Sequence, residues 1–158
     1  MNLLINDKAD LSDVKKLADE CASCLLKKTP VCIHVSGVLG SGKTTFIQFL
    51  MSYMGVSSPV TSPTFSMVEE YELNEGRALH MDLYRTESVL DLESLGVLDV
   101  WDDYAVICIE WPENSLGYFP KADLHVELTH VHSSRNRQVR IQGLSEKGES
   151  IIHWMRHS

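Results

Sequence analysis

The sequence predicts a three-layer α/β fold whose sheet has a parallel core and antiparallel additions, and three features carry that expectation. Val31-Cys32-Ile33-His34-Val35 and Ala105-Val106-Ile107-Cys108-Ile109 are short, mostly apolar, β-branched runs, the pattern of parallel strands covered on both faces. The first leads into Gly37-Val38-Leu39-Gly40-Ser41-Gly42-Lys43-Thr44, an unbroken G-x-x-x-x-G-K-[ST] loop, and then into a stretch with helical spacing. Asp123–Thr129 and Gln138–Leu144 alternate apolar and polar residues, as half-exposed antiparallel strands do. Strand, glycine loop and helix in succession define a P-loop NTPase-like fold, and 158 residues are enough for one such domain spanning 1–158.

Taken in chain order, Leu11, Val14, Ala18, Cys21 and Leu25 step by three and four, so an amphipathic helix is expected over Leu11–Lys28. Lys27 and Lys28 suit its negative end. After the first buried strand and the loop, Phe46, Ile47, Phe49, Leu50 and Met54 place a second helix over Thr44–Met54. Ser57–Ser62, rich in Ser, Thr and Pro, reads as a connection. A hairpin follows: Ser66–Leu73, the turn Asn74-Glu75-Gly76, and Arg77–Leu83. On its second arm, parity puts Leu79, Met81 and Leu83 in the core and His80, Asp82 and Tyr84 on a polar face, either wet or turned toward the site. Thr86 can cap a helix reaching Leu95, which Gly96 ends. The stretch Ser145–Ser158 reads equally as a short helix or a loose tail.

The loop dictates a ligand. Glycines let backbone N–H groups crowd around phosphate oxygens, and the helix that follows points its positive end at the same anion. Lys43 adds a mobile charge for the outer phosphates, and Thr44 offers a hydroxyl to Mg2+, which prefers a few oxygen ligands besides the phosphates themselves. No N-K-x-D string that would select guanine is present, so ATP is favoured over GTP. In open α/β sheets the ligand lies beyond the carboxyl ends of the parallel strands. Glu110, directly after an apolar run, is therefore the expected second contact to Mg2+. Asp82 competes for that job, or positions the attacking water. Thr61-Ser62-Pro63-Thr64-Phe65 lies where nucleotide-sensing segments occur, with Thr64 able to report the γ-phosphate or its metal, though a plain turn explains the composition almost as well. Trp111 can pack on the nucleotide or plug the core, and Arg85 can neutralise phosphate charge or form a surface ion pair.

A net charge of −8, from 14 Lys and Arg against 22 Asp and Glu, argues against a protein that grips nucleic acid over its whole surface. Only His130–Arg140, with Arg135, Arg137 and Arg140, offers a local basic patch, and a solvated hairpin turn between two strands explains it more readily. No apolar run approaches a membrane span and Met1–Asp10 lacks the pattern of a signal peptide, so a cytoplasmic protein with no membrane contact is expected. Cys21 and Cys24 have C-x-x-C spacing, but in mid-helix rather than at a helix start. With Cys32 and Cys108 in apolar strands, all four read as core thiols of a reducing compartment.

Four motifs in order, Gly37 to Phe46, Val60-Thr61-Ser62-Pro63-Thr64-Phe65, His80-Met81-Asp82-Leu83-Tyr84-Arg85 and Ile109-Glu110-Trp111-Pro112-Glu113, resemble the bacterial TsaE family, also called YjeE, across roughly 31–129. The resemblance implies an ATPase needed to make threonylcarbamoyladenosine in tRNAs that read codons beginning with A. It implies the partners TsaD, which transfers the threonylcarbamoyl group, and TsaB, with TsaC making the adenylate separately. It further implies that ATP binding favours docking on TsaB–TsaD, that hydrolysis resets that complex, and that tRNA is met only through it. By position, Lys43 and Thr44 carry the family's phosphate and Mg2+ roles, Glu110 its second metal contact, Asp82 an activity-critical carboxylate, and Trp111 a place near the nucleotide. Thr45 and Thr64 match family positions, Ser41 stands harmlessly where alanine is commoner, and nothing after Thr129 inherits a role. Two rivals remain: a small-molecule kinase, disfavoured because only Arg77 and Arg85 lie between the loop and Asp123, and a nucleotide-gated binding module whose hydrolysis is incidental.

Overall fold

The structure, a computed structural model, describes residues 2–158, so residue 1 of the expected domain lies outside the described residues. In chain order the elements are β1 (Leu3–Ala9), α1 (Leu11–Leu25), β2 (Val31–Ser36), α2 (Lys43–Tyr53), β3 (Val68–Glu72), β4 (Arg77–Asp82), α3 (Val89–Ser94), β5 (Val106–Glu110), β6 (Leu124–His130), β7 (Arg137–Gly143) and α4 (Glu146–His157). Short 3-10 turns at Leu98–Asp103 and Pro112–Ser115 flank β5. The strands form one sheet in the order β1-β7-β6-β2-β5-β4-β3. β6, β2, β5 and β4 run parallel; β3 pairs antiparallel with β4 at one edge, and at the other β7 pairs antiparallel with β6 and β1 antiparallel with β7. The expected mixed sheet is thus observed, with one change of partner: β6, expected to be antiparallel, extends the parallel core through β2 and pairs antiparallel only with β7.

Helices lie on both sides. Val31, Ile33 and Val35 of β2, with Leu124, Val126 and Leu128 of β6, pack in one cluster with α1, α2 and α4. Leu79, Met81, Ile107 and Ile109 pack against Leu92, Val97 and Tyr104 on the other side. The period-two pattern on β4 and β5 therefore feeds two cores at once.

Local chemistry sets the boundaries. Asp10 caps α1 in a reciprocal capping box with Asp13. The helix stops at Leu25, and Lys27 and Lys28 instead lie over the Trp154 ring of α4 at 5.3 and 5.1 Å. Ser88, not Thr86, caps α3, because its hydroxyl reaches the Asp91 N–H while Asp91 answers to the Ser88 N–H; Gly96 follows with φ 65°. The stretch after 144 is a helix. Ser145 caps it through the Gly148 N–H and also donates to Asp123 Oδ1 at 2.6 Å, while Asp123 Oδ2 accepts the Cys32 N–H at 3.0 Å. Gly148 permits that docking, since a Cβ there would sit 1.9 Å from the Asp123 carbonyl. One carboxylate thereby ties the start of β2 to the cap of α4. β1 had no expectation attached to it, and pairs along β7. All four cysteines are buried and free, and burial pushes the Cys21 and Cys32 thiols up to about 12. Among the described residues no helix is long and apolar enough to cross a membrane.

Candidate functional site

The loop forms where β2 runs into α2 beside the carboxyl ends of β4 and β5. Gly42 is the N-cap of α2 with φ 102°, a left-handed conformation that a side chain would strain, and no side chain caps the helix. The first N–H groups of α2 are therefore available to an anion. Lys43 opens the helix, and its Nζ donates to the carbonyls of Gly37 at 2.8 Å and Val38 at 3.1 Å while lying 4.4 Å from the Trp111 ring centroid. Burial pulls the Lys43 ammonium below the usual lysine range, and the carboxylates of Glu110, Asp82 and Glu113 oppose that pull. Phosphate oxygens would reward the same ammonium more strongly than carbonyls do.

A cleft of about 400 Å³ opens in front of the loop, lined by Leu39, Gly40, Gly42, Lys43, Thr44, Thr45, Ser62, Thr64, Asp82, Tyr84, Glu110 and Trp111. Of the residues expected to form the site, only Gly37 and Ser41 are outside this lining. Gly37 contributes the carbonyl held by Lys43, and Ser41 lies fully buried beneath the loop with its hydroxyl unpartnered among the described residues. Glu110 is the last residue of β5 rather than the residue after it, and register sets it opposite Asp82 on β4 and Val35 on β2. Thr44 Oγ1 donates to Glu110 Oε1 at 2.7 Å.

His80 and Asp82 correct the option of a wet face on β4. They are 0% and 5% exposed, Asp82 lining the cleft and His80 against Glu110, while Tyr84 beyond the strand end is exposed at the cleft's edge. Asp82 Oδ2 accepts the Ser62 hydroxyl at 2.6 Å and Oδ1 accepts the Tyr84 N–H at 3.0 Å; Thr64 donates to Ser62 at 3.2 Å. The 61–65 segment is thus fastened to Asp82 by hydroxyls. Trp111 adopts φ 55° immediately after β5, with the Tyr84 ring 4.8 Å away. Arg85 stacks over Phe65, whose side chain is exposed, at 4.8 Å.

A second cleft of about 180 Å³ shares Gly40, Gly42 and Thr45 with the first and continues between the start of α1 and the β6–β7 hairpin, lined by Asp10, Leu11, Val14, Leu128, Arg135 and Arg137. Sequence reasoning missed it because its walls come from the two ends of the chain. The basic patch was the available signal: Arg137 Nε donates to the Ser41 carbonyl at 2.9 Å and Nη2 to Gly40 at 3.3 Å. Arg140 points away and meets Glu127 at 3.9 Å.

Behind the loop, a third recess is lined by His34, Ser36, Trp111, Glu113, His125 and Glu127. Ser36 Oγ and His125 Nε2 are 2.7 Å apart. Burial, with His125 adjoining, pushes His34 down to about 4.

With this geometry established, comparison with known proteins gives a consistent family. The family model described as "Threonylcarbamoyl adenosine biosynthesis protein TsaE" matches residues 8–139. The chain is 33% identical over 134 residues to the tRNA threonylcarbamoyladenosine biosynthesis protein TsaE of Haemophilus influenzae, covering 83% of this chain and 84% of that one. It is 34% identical over 131 residues to the Aquifex aeolicus protein of the same name, covering 82% and 88%. In fold, it superposes on the crystal structure of Bacillus subtilis YdiB with a TM-score of 0.80 at 20% identity, over 98% of this chain and 95% of that one.

Proposed function

The chain belongs to the TsaE family of threonylcarbamoyl adenosine biosynthesis proteins, and on that footing we propose that it is a Mg2+-dependent ATPase of tRNA threonylcarbamoyladenosine formation. In this reading it works in the cytoplasm, docks in its ATP state on the TsaB–TsaD complex and resets that complex by hydrolysis. The observation that carries it is the convergence of Lys43, Thr44, Asp82 and Glu110 in one cleft at an α2 N-terminus that no side chain caps.

The donor set fits a triphosphate and its metal. Lys43 and the loop N–H groups bind the phosphates, and Gly37 to Gly42 keep the backbone close. Thr44 and Glu110 would hold Mg2+, which when bound neutralises charge on the outer phosphates. The Thr44 hydroxyl already donates to Glu110, which turns its lone pairs toward the cleft. Asp82, next to Glu110 across β4–β5, is the carboxylate for orienting the attacking water, and Thr64, joined to it through Ser62, senses the γ-phosphate. The second cleft, apolar at Leu11, Val14 and Leu128 and basic at Arg135 and Arg137, takes the nucleoside end, with Trp111 covering the phosphate side.

Asp82→Ala separates binding from turnover. We expect the variant to bind MgATP and TsaB–TsaD as wild type does but to release phosphate at least about 100-fold more slowly, and to stall repeated tRNA modification. Sustained modification by that variant would make hydrolysis dispensable. Phosphate release that strictly required an added small alcohol would favour a kinase.

A further inference from the structure

His80 is fully buried on β4, beside Glu110 of β5, and no motif argument gave it a task. Its Nε2 lies 2.9 Å from Glu110 Oε1. A carboxylate only accepts, so Nε2 carries the proton and donates. Thr44 donates to the same Oε1 from α2 at 2.7 Å. Two donors on different elements thus pin one oxygen of Glu110, leaving Oε2 as the oxygen for other work.

The other ring nitrogen sharpens the point. His80 Nδ1 is buried and has no partner among the described residues. A hydrocarbon side chain of similar size would leave nothing unpaired at this position, so packing alone gives no reason for an imidazole. The ring tolerates one unsatisfied nitrogen in order to aim the other at Glu110. The strand register explains the spacing. His80 pairs with Cys108 and Asp82 with Glu110, so a residue two before Asp82 faces the same side and reaches Glu110 diagonally.

We propose that His80 is a positioning residue that fixes the Glu110 carboxylate, and through it the Thr44 hydroxyl, in the orientation Mg2+ requires. This inference rests on the ATPase reading above. Removing a group that orients a metal-holding carboxylate typically costs 10–100-fold in metal affinity, whereas a purely structural histidine would affect folding and leave the metal term unchanged.

The test uses the full chain with ATP and Mg2+ as probes. Calorimetry measures ATP affinity in EDTA and across a Mg2+ titration, with thermal melting alongside, for wild type, His80→Leu, His80→Asn and His80→Gln. Glutamine can place an amide N–H where Nε2 stands; asparagine stops short. We expect all variants to bind ATP in EDTA within about threefold of wild type. His80→Leu and His80→Asn should need about 10-fold or more Mg2+ for half-maximal tightening, and His80→Gln should restore it to within about threefold. Wild-type Mg2+ response in His80→Leu or in His80→Asn, or equal loss in all three variants, would overturn the inference alone. Wild-type protein whose ATP affinity ignored Mg2+ would overturn the ATPase reading, and this inference with it.

Discussion

Ser41 illustrates how a side chain can follow the loop motif and still be poorly satisfied. Its N–H is held by the Val38 carbonyl and its own carbonyl receives Arg137, yet its hydroxyl is fully buried without a partner among the described residues. Substitution was expected to be harmless, and the structure gives it a sign. An unsatisfied buried hydroxyl costs free energy that alanine would not, so Ser41→Ala should stabilise the protein by about 1 kcal/mol and raise Tm by about 2–4 °C, leaving ATP affinity unchanged. A lower Tm in a melting experiment would show that the hydroxyl has a use. Asp82 shows the opposite balance: both its oxygens are occupied, by Ser62 and by the Tyr84 N–H. One of these two contacts comes from the segment expected to sense nucleotide, so a displacement of 61–65 would free one oxygen of Asp82 while the Tyr84 N–H kept the other.

The packing of β2 beside β6 gives His34 a pH-dependent contribution to stability. Their register pairs His34 with His125, side by side on the face away from α1 and α2. Burial and then His125 depress His34 to about 4; burial also depresses His125, while Glu127 and Glu113 raise it and Arg140 lowers it. The unfolded chain takes a proton at position 34 near the ordinary histidine value of about 6.5, the folded chain only near 4. The contribution to stability is thus complete above about pH 6.5 and is lost as pH falls toward about 4. In a series of melts from pH 7.5 to 4, His34→Gln should lose less Tm than wild type in that window; parallel curves would remove His34 as a cause. Element assignment from sequence succeeded where period and punctuation agreed, as for β2, α2 and the β3–β4 hairpin with Gly76 at φ 87°. It slipped where a rival side chain won, as when Ser88 rather than Thr86 found the reciprocal Asp91. It has no signal for β1, whose Leu3–Ala9 carries polar residues at Asn6, Asp7 and Lys8 and pairs along the edge that β7 offers.

Across the chain, the parts of the candidate site that sequence points to, the loop, Glu110 at a strand end and Asp82 by parity, are those contiguous with motifs, and they line one cleft. The illegible parts are made by closure of the sheet. The second cleft joins residues near 10 to residues near 136, and His80 meets Glu110 only because β4 lies beside β5. The acidic charge of the chain, −8, is compatible with the proposed polyanionic ligand, because Lys43, the α2 N-terminus and Arg137 gather positive charge at one end of the sheet. Isothermal titration of the folded protein with ATP, with and without Mg2+, alongside Lys43→Ala, puts that arrangement to the test. Wild type should bind ATP at one site, tighter with Mg2+, and Lys43→Ala should lose about 10-fold or more, the worth of a charge-assisted bond of about 1.5–3 kcal/mol. No Mg2+-assisted binding by wild type, or undiminished affinity in Lys43→Ala, would contradict it.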